Sequence, residues 1–249
     1  MTLQFLIAPD FSPDRFAGWH MLNTVLQRRS GIHLHLVTPV SAQEQADALA
    51  AGQADIVYAN PFDATDMIRS MGYIPFARPA QRYDEMVIAT GAESGLKSLE
   101  ELKPGCRIAL TDNRDVKLIG LRLLEPADLA ESLIEWVQVD SYQAAARKAI
   151  KGEVDAAFFL ADAFASLTRI SRAQLHVLVE SAISDISHVL LAHPRVISDL
   201  PAIKNAFVEI GKMPGDNDLL EALGLPKGFE SLSQEQAEFM IDLMDTLLD

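Results

Sequence analysis

The chain has 249 residues, 49% of them hydrophobic and 22% charged, enough apolar material for one large domain or two lobes and too much for a wholly disordered polymer. With 35 acidic against 21 basic side chains its formal net charge is −14. The basic residues do not cluster beyond Arg28-Arg29, which excludes nucleic acid and anionic membrane surfaces as partners. The single cysteine, Cys106, cannot form an internal disulfide and leaves the redox compartment open.

Residues 1 to 9, Met-Thr-Leu-Gln-Phe-Leu-Ile-Ala-Pro, have no basic start and too short an apolar run for a secretory signal, and no later window reaches the length of a membrane span. The expectation is a soluble chain without membrane insertion, cytoplasmic if Met1 is the native start and periplasmic if a leader has been removed. Leu3 to Ala8 reads as a buried strand, ended by Pro9 to Pro13, after which Phe16, Trp19, Leu22, Val25 and Leu26 recur at helical spacing until Gly31. His33 to Val37 is a second strand, and Ser41-Ala-Gln-Glu44 is a capping box that opens a helix ending before Gly52. Asp55 to Tyr58 is a third strand. The turn Asn60-Pro61 follows, with proline at the first position of a helix that runs to about Met71.

Glu85 to Thr90 predicts another strand, and then the alternation restarts. Strands are expected at Arg107 to Leu110, Ile134 to Val139 and Ala156 to Leu160, and helices at Asp115 to Leu124 and Tyr142 to Lys151. Gly52 and Asp55 of the first half recur one hundred positions on as Gly152 and Asp155, each pair between an Ala-rich helix and an apolar strand. Leu175 to Val179 and Val189 to Ala192 are further strands, and beyond Pro194 the pattern is helical at Leu200 to Ile210, Asn217 to Leu223 and Ser233 to Leu248. Such alternation predicts an α/β chain of parallel βαβ units in two lobes, 1–88 plus 186–249 and 89–185. The chain would cross between them near Ile88 to Gly91 and near Ile183 to His188.

Open α/β sheets take ligands at the carboxyl ends of their strands, where helix starts offer N–H groups to anions. In the first lobe this selects Asp10, Ser12, Asn60, Phe62 and His188. In the second it selects Asn113, Arg114, Asp115 and Asp162, with Arg114 as a bidentate anion clamp. Trp19 reads as core more readily than as ligand wall. His33 and His35 share a strand face, but no third metal ligand is near in sequence. G-x-S-x-G, H-E-x-x-H and C-x-x-C are all missing from the sequence, and no cofactor or metal is implied.

Four stretches resemble the type 2 periplasmic-binding-protein fold, and within it the phosphate/phosphonate-binding proteins of ABC importers. They are Ala48 to Phe62, Leu96 to Leu110, Ala149 to Phe158 and Ser187 to Arg195, and the resemblance spans roughly residues 3 to 235. It implies a two-lobed fold with a hinge and an interlobe cleft, a small-molecule ligand, and an ABC permease or a sensor as partner. Members of that family carry hydroxyl residues at the helix start of the second lobe, whereas this chain has Arg114-Asp-Val-Lys117. An aspartate there opposes a dianion, so the expected ligand is a small anionic or zwitterionic solute other than a phosphonate. Two further readings share the fold: an enzyme similar to those of the menaquinone pathway, with a His or Asp base, and an effector-binding module similar to that of LysR-type regulators.

Overall fold

The structure, a computed structural model, describes residues 2–9, 11 and 13–248. The chain divides into unit 1, residues 1–83 and 185–244, and unit 2, residues 84–184 and 245–249.

Unit 1 contains strands β1 (Leu3–Ile7), β2 (Leu34–Val37), β3 (Ile56–Ala59) and β4 (Ile74–Pro79), with helices α1 (Phe16–Ser30), α2 (Ala42–Ala50) and α3 (Pro61–Arg69) between them. Unit 2 contains β5 (Met86–Gly91), β6 (Arg107–Leu110), β7 (Glu135–Gln138), β8 (Ala156–Leu160) and β9 (Leu175–Glu180), with helices α4 (Arg114–Leu124), α5 (Tyr142–Ile150), α6 (Ala161–Ser166) and α7 (Arg169–Ala173). The chain then returns to unit 1 as β10 (Val189–Ala192), α8 (Leu200–Val208), α9 (Asn217–Leu223), β11 (Phe229–Ser231) and α10 (Gln234–Leu248), of which residues 234–244 belong to unit 1. The stretch Ile88 to Gly91, where the first crossing was expected, is the carboxyl-terminal part of β5, and the division between units falls between Tyr83 and Asp84.

The strand order is β11-β4-β10-β3-β1-β2 in unit 1 and β7-β6-β8-β5-β9 in unit 2. In each sheet three parallel strands (β2, β1, β3 and β7, β6, β8) are followed by an antiparallel one, β10 or β5. The repeat seen in the sequence is therefore a repeat of hydrogen bonds. Ser41 accepts the N–H of Glu44 at the start of α2, and Ser141 accepts that of Ala144 at the start of α5. Gly52 and Gly152 end the two helices at φ 65° and 68°, a left-handed backbone that glycine adopts without strain. Asp55 accepts the N–H of Gln4 at 2.7 Å, and Asp155 accepts that of Arg107 at 2.7 Å, each fastening the start of one parallel strand to its neighbour.

Two strands escape periodicity. Ile74-Pro-Phe-Ala-Arg-Pro79 holds two prolines, which argue against a central strand. Its register against β10 shifts between Leu190 and Leu191, which pair with Ala77 and Pro75, so Phe76 is the extra residue of a bulge. β11 is three residues long and adds an edge strand to a segment expected to be only helical. The short helices α6 and α7 also lie outside the expected elements.

The core of unit 1 lies on both sheet faces. Phe5, Ile7, Trp19, Leu22, Phe76 and Phe207 pack on the side of α1, α8 and α9. Leu6, Val57, Met67, Leu191 and Ile241 pack on the other. In unit 2, Ala146, Ala149, Phe159 and Leu167 form one side under α5. Cys106 is buried among the core residues, and burial followed by the nearby Asp155 carboxylate pushes its thiol pKa up, which disfavours the thiolate.

Candidate functional site

The carboxyl ends of β1 and β3 and the amino end of β10 make one edge of the unit 1 sheet. Tyr58, in β3, stacks on His188 with ring centroids 5.0 Å apart and an interplanar angle of 20°. Trp19 of α1 lies 4.7 Å from Tyr58, and Phe11 meets Trp19 edge-on at 6.1 Å. Ser187 and His188, just before β10, are both buried. The Ser187 hydroxyl and the Trp19 Nε1–H have no hydrogen-bond partner among the described residues.

α3 starts at this edge. The Asn60 side-chain Oδ1 accepts the N–H of Asp63 at 2.8 Å, and its Nδ2 donates to the Asp63 carboxylate at 3.1 Å. Gln45, buried on α2, donates to the same carboxylate at 2.6 Å. Pro61 has no N–H to give. The end of the helix that favours negative charge thus already carries a carboxylate of its own chain.

Unit 2 has its own carboxyl edge at β6 and β8. Asn113 caps α4 by accepting the N–H of Val116 at 3.0 Å. Arg114 is the exposed first residue of that helix, and Asp115 beside it is buried at 4% exposure. Asp162 is exposed in the first turn of α6. At the same edge the Glu85 carboxylate accepts the Ser181 hydroxyl proton and, at 2.7 Å, the N–H of Ser184, whose φ is 65°. That clasp fastens the amino end of β5 to the segment after β9.

Of the residues selected from sequence, Asn60 and His188 lie at the edge of unit 1, and Phe62 is half-buried in the first turn of α3. Asn113, Arg114, Asp115 and Asp162 lie at the edge of unit 2. Asp10 and Ser12 lie outside the described residues. Reasoning from sequence missed Tyr58, Asp63 and Gln45 as neighbours of this edge and gave Trp19 to the core, while Ser187 lies in the candidate loop Asp185 to His188 that it selected. The alternation of β3 was the available signal for Tyr58: residues 56 and 58 share a face, and that face carries the aromatic cluster.

The family described as "ABC transporter, phosphonate, periplasmic substrate-binding protein" matches residues 5–237. No curated protein sequence matches the chain. Among solved structures, PhnD1 of Prochlorococcus marinus in complex with methylphosphonate superposes with a TM-score of 0.83 at 13% identity, over 99% of this chain and 98% of that one. A protein of Xanthomonas citri bound to ATP gives 0.79 at 14% identity, over 99% and 97%. A binding component of a Pseudomonas aeruginosa ABC phosphonate transporter gives 0.78 at 14% identity, over 100% and 89%. These likenesses show the fold, the two-lobed type 2 periplasmic-binding-protein α/β fold. The family match covers nearly the whole chain, and the protein belongs to the family of phosphonate-type periplasmic substrate-binding proteins of ABC transporters.

Proposed function

We propose that this substrate-binding protein takes a small zwitterionic or weakly charged solute at the carboxyl edge of unit 1 and does not take a phosphonate dianion. One observation carries the reading: the start of α3 already holds the Asp63 carboxylate, fastened by Gln45 and Asn60 at 2.6 and 3.1 Å. A dianionic group there would meet the like charge of this carboxylate in a partly desolvated place. The buried Asp115 in the first turn of α4 acts in the same sense in unit 2.

The solved relative that carries methylphosphonate and the one that carries ATP show how widely ligands vary on this fold. The partner that the reading requires is an ABC permease, and the compartment it requires is the periplasm, as in the family's description. No helix among the described residues is long and apolar enough to cross a membrane. The family match supports the substrate-binding reading over the enzyme and regulator alternatives. The exclusion of phosphonate is tested by titrating methylphosphonate while following Trp fluorescence. No saturable change is expected up to millimolar concentration, and saturation in the micromolar range would remove the exclusion.

A further inference from the structure

His33 and His35 take no part in the edge described above. His35 is the second residue of β2, and His33 stands just before that strand, its backbone carbonyl accepting the Leu3 N–H at 2.9 Å. Residues two apart on a strand project from the same face. The packing around β2 shows which face that is. Leu34 and Leu36 pack in the core cluster on the side of α1, whereas Val37 packs in the cluster on the other side. His33 and His35 therefore share the face of Val37, and both are exposed.

β2 is the last strand of its sheet and pairs only with β1. Gln4 stands opposite His35 in that pairing. It lies on the same face, because Leu3 and Phe5 on either side of it belong to the opposite cluster. Two imidazoles and an amide thus meet at one open edge of the sheet. Same-face neighbours stand about 6.5–7 Å apart along a strand, and rotation of two solvent-exposed side chains can bring a nitrogen of each to about 2.0–2.1 Å from one ion. Among the described residues no group of three His, Cys, Asp or Glu side chains could hold a metal, so such an ion keeps open positions for water. Two nitrogens with water suit copper(II), nickel(II) or zinc(II) and not the oxygen-seeking magnesium and calcium. The net charge of −14 enriches cations around the chain.

We propose that His33 and His35 chelate one divalent transition-metal ion at the open edge of β2, copper(II) more tightly than nickel(II) or zinc(II). The pair lies at the amino ends of β1 and β2, away from the carboxyl edge where the solute is placed, so this site stands independently of the solute reading.

The test titrates copper(II), nickel(II), zinc(II) and calcium, each alone, into the full chain by calorimetry, with electron paramagnetic resonance on the copper sample. One copper per chain is expected, with the signal of two coordinated nitrogens. His33→Ala and His35→Ala are each expected to weaken copper binding about tenfold or more, because the second imidazole binds an ion that its neighbour already holds. The double variant is expected to bind no more weakly than either single one, since one histidine alone makes no chelate. Both side chains are exposed, so the metal-free melting temperatures are expected to stay level. Failure to bind copper would overturn the assignment. So would copper affinity unchanged in either single variant, a one-nitrogen copper signal, or calcium bound as tightly as copper.

Discussion

Asp55→Ala is expected to lower the stability of unit 1 by about 2–3 kcal/mol, the range for losing a buried, charged hydrogen-bond acceptor. Asp55 is 3% exposed at the start of β3. One carboxylate oxygen accepts the Gln4 N–H of β1 at 2.7 Å and the other accepts Arg195 Nε at 2.6 Å. Its backbone N–H and C=O are also engaged, with Gln4 and with His193. Removing the carboxylate takes the acceptor from the Gln4 N–H and leaves the Arg195 guanidinium, 37% exposed, with the Ala54 carbonyl at 3.3 Å.

Asp155 is the internal control. It makes the same bond to the N–H of Arg107, but its side chain is 43% exposed and Arg107 Nε stands 4.0 Å away, so water replaces much of what Asp155→Ala removes. About 1 kcal/mol is expected there. Urea denaturation checks both, because Trp19 reports unit 1 and Trp136 reports unit 2. Equal losses at the two positions would show that the recurrent aspartates act through the backbone bond alone.

Asp216→Ala is expected to destabilise by about 2–3 kcal/mol at neutral pH and progressively less in acid. Its carboxylate, 6% exposed, meets Arg29 of α1 at 2.5 Å and accepts the N–H groups of Gly211 at 2.8 Å and Met213 at 3.4 Å. Burial raises its pKa, but the Arg29 hydrogen bond and charge and the two N–H groups lower it further, and the net shift is downward. A carboxyl whose folded pKa lies below its unfolded value stabilises the fold above the unfolded pKa of about 3.9 and loses that stabilisation as pH falls through the folded pKa. The stability of Asp216→Ala and of the unchanged protein should therefore converge as pH falls through the folded-state pKa, which lies below the unfolded value. A difference that stays constant from pH 7 to pH 3 would contradict an ionic role.

The parallel strands were legible because each combines a short apolar run with a helix start or stop beside it. Arg107 to Leu110 and Ala156 to Leu160 match the structure residue for residue. β4 was not legible, since Pro75 and Pro79 argue against a strand; Pro75 adjoins the bulge against β10, and Pro79 is the last residue of the strand. Asn60 and Asn113 were visible as helix starts, and the structure shows what their side chains hold. Trp19 was not legible as a neighbour of this edge, and Ser187 was visible only as part of the candidate loop Asp185 to His188. Their unpaired atoms depend on which helix crosses which face of the sheet, which no local pattern encodes.

The central claim is that this chain holds a small solute and leaves it unchanged. Native mass spectrometry of the protein as purified, repeated after incubation at working temperature and followed by denaturing release, tests it most directly. The account predicts one small molecule per chain, the same mass before and after incubation, carried by the intact protein and freed on unfolding. An empty chain that also takes nothing from a pool of cell metabolites would contradict the account, and so would a bound mass that changes with time.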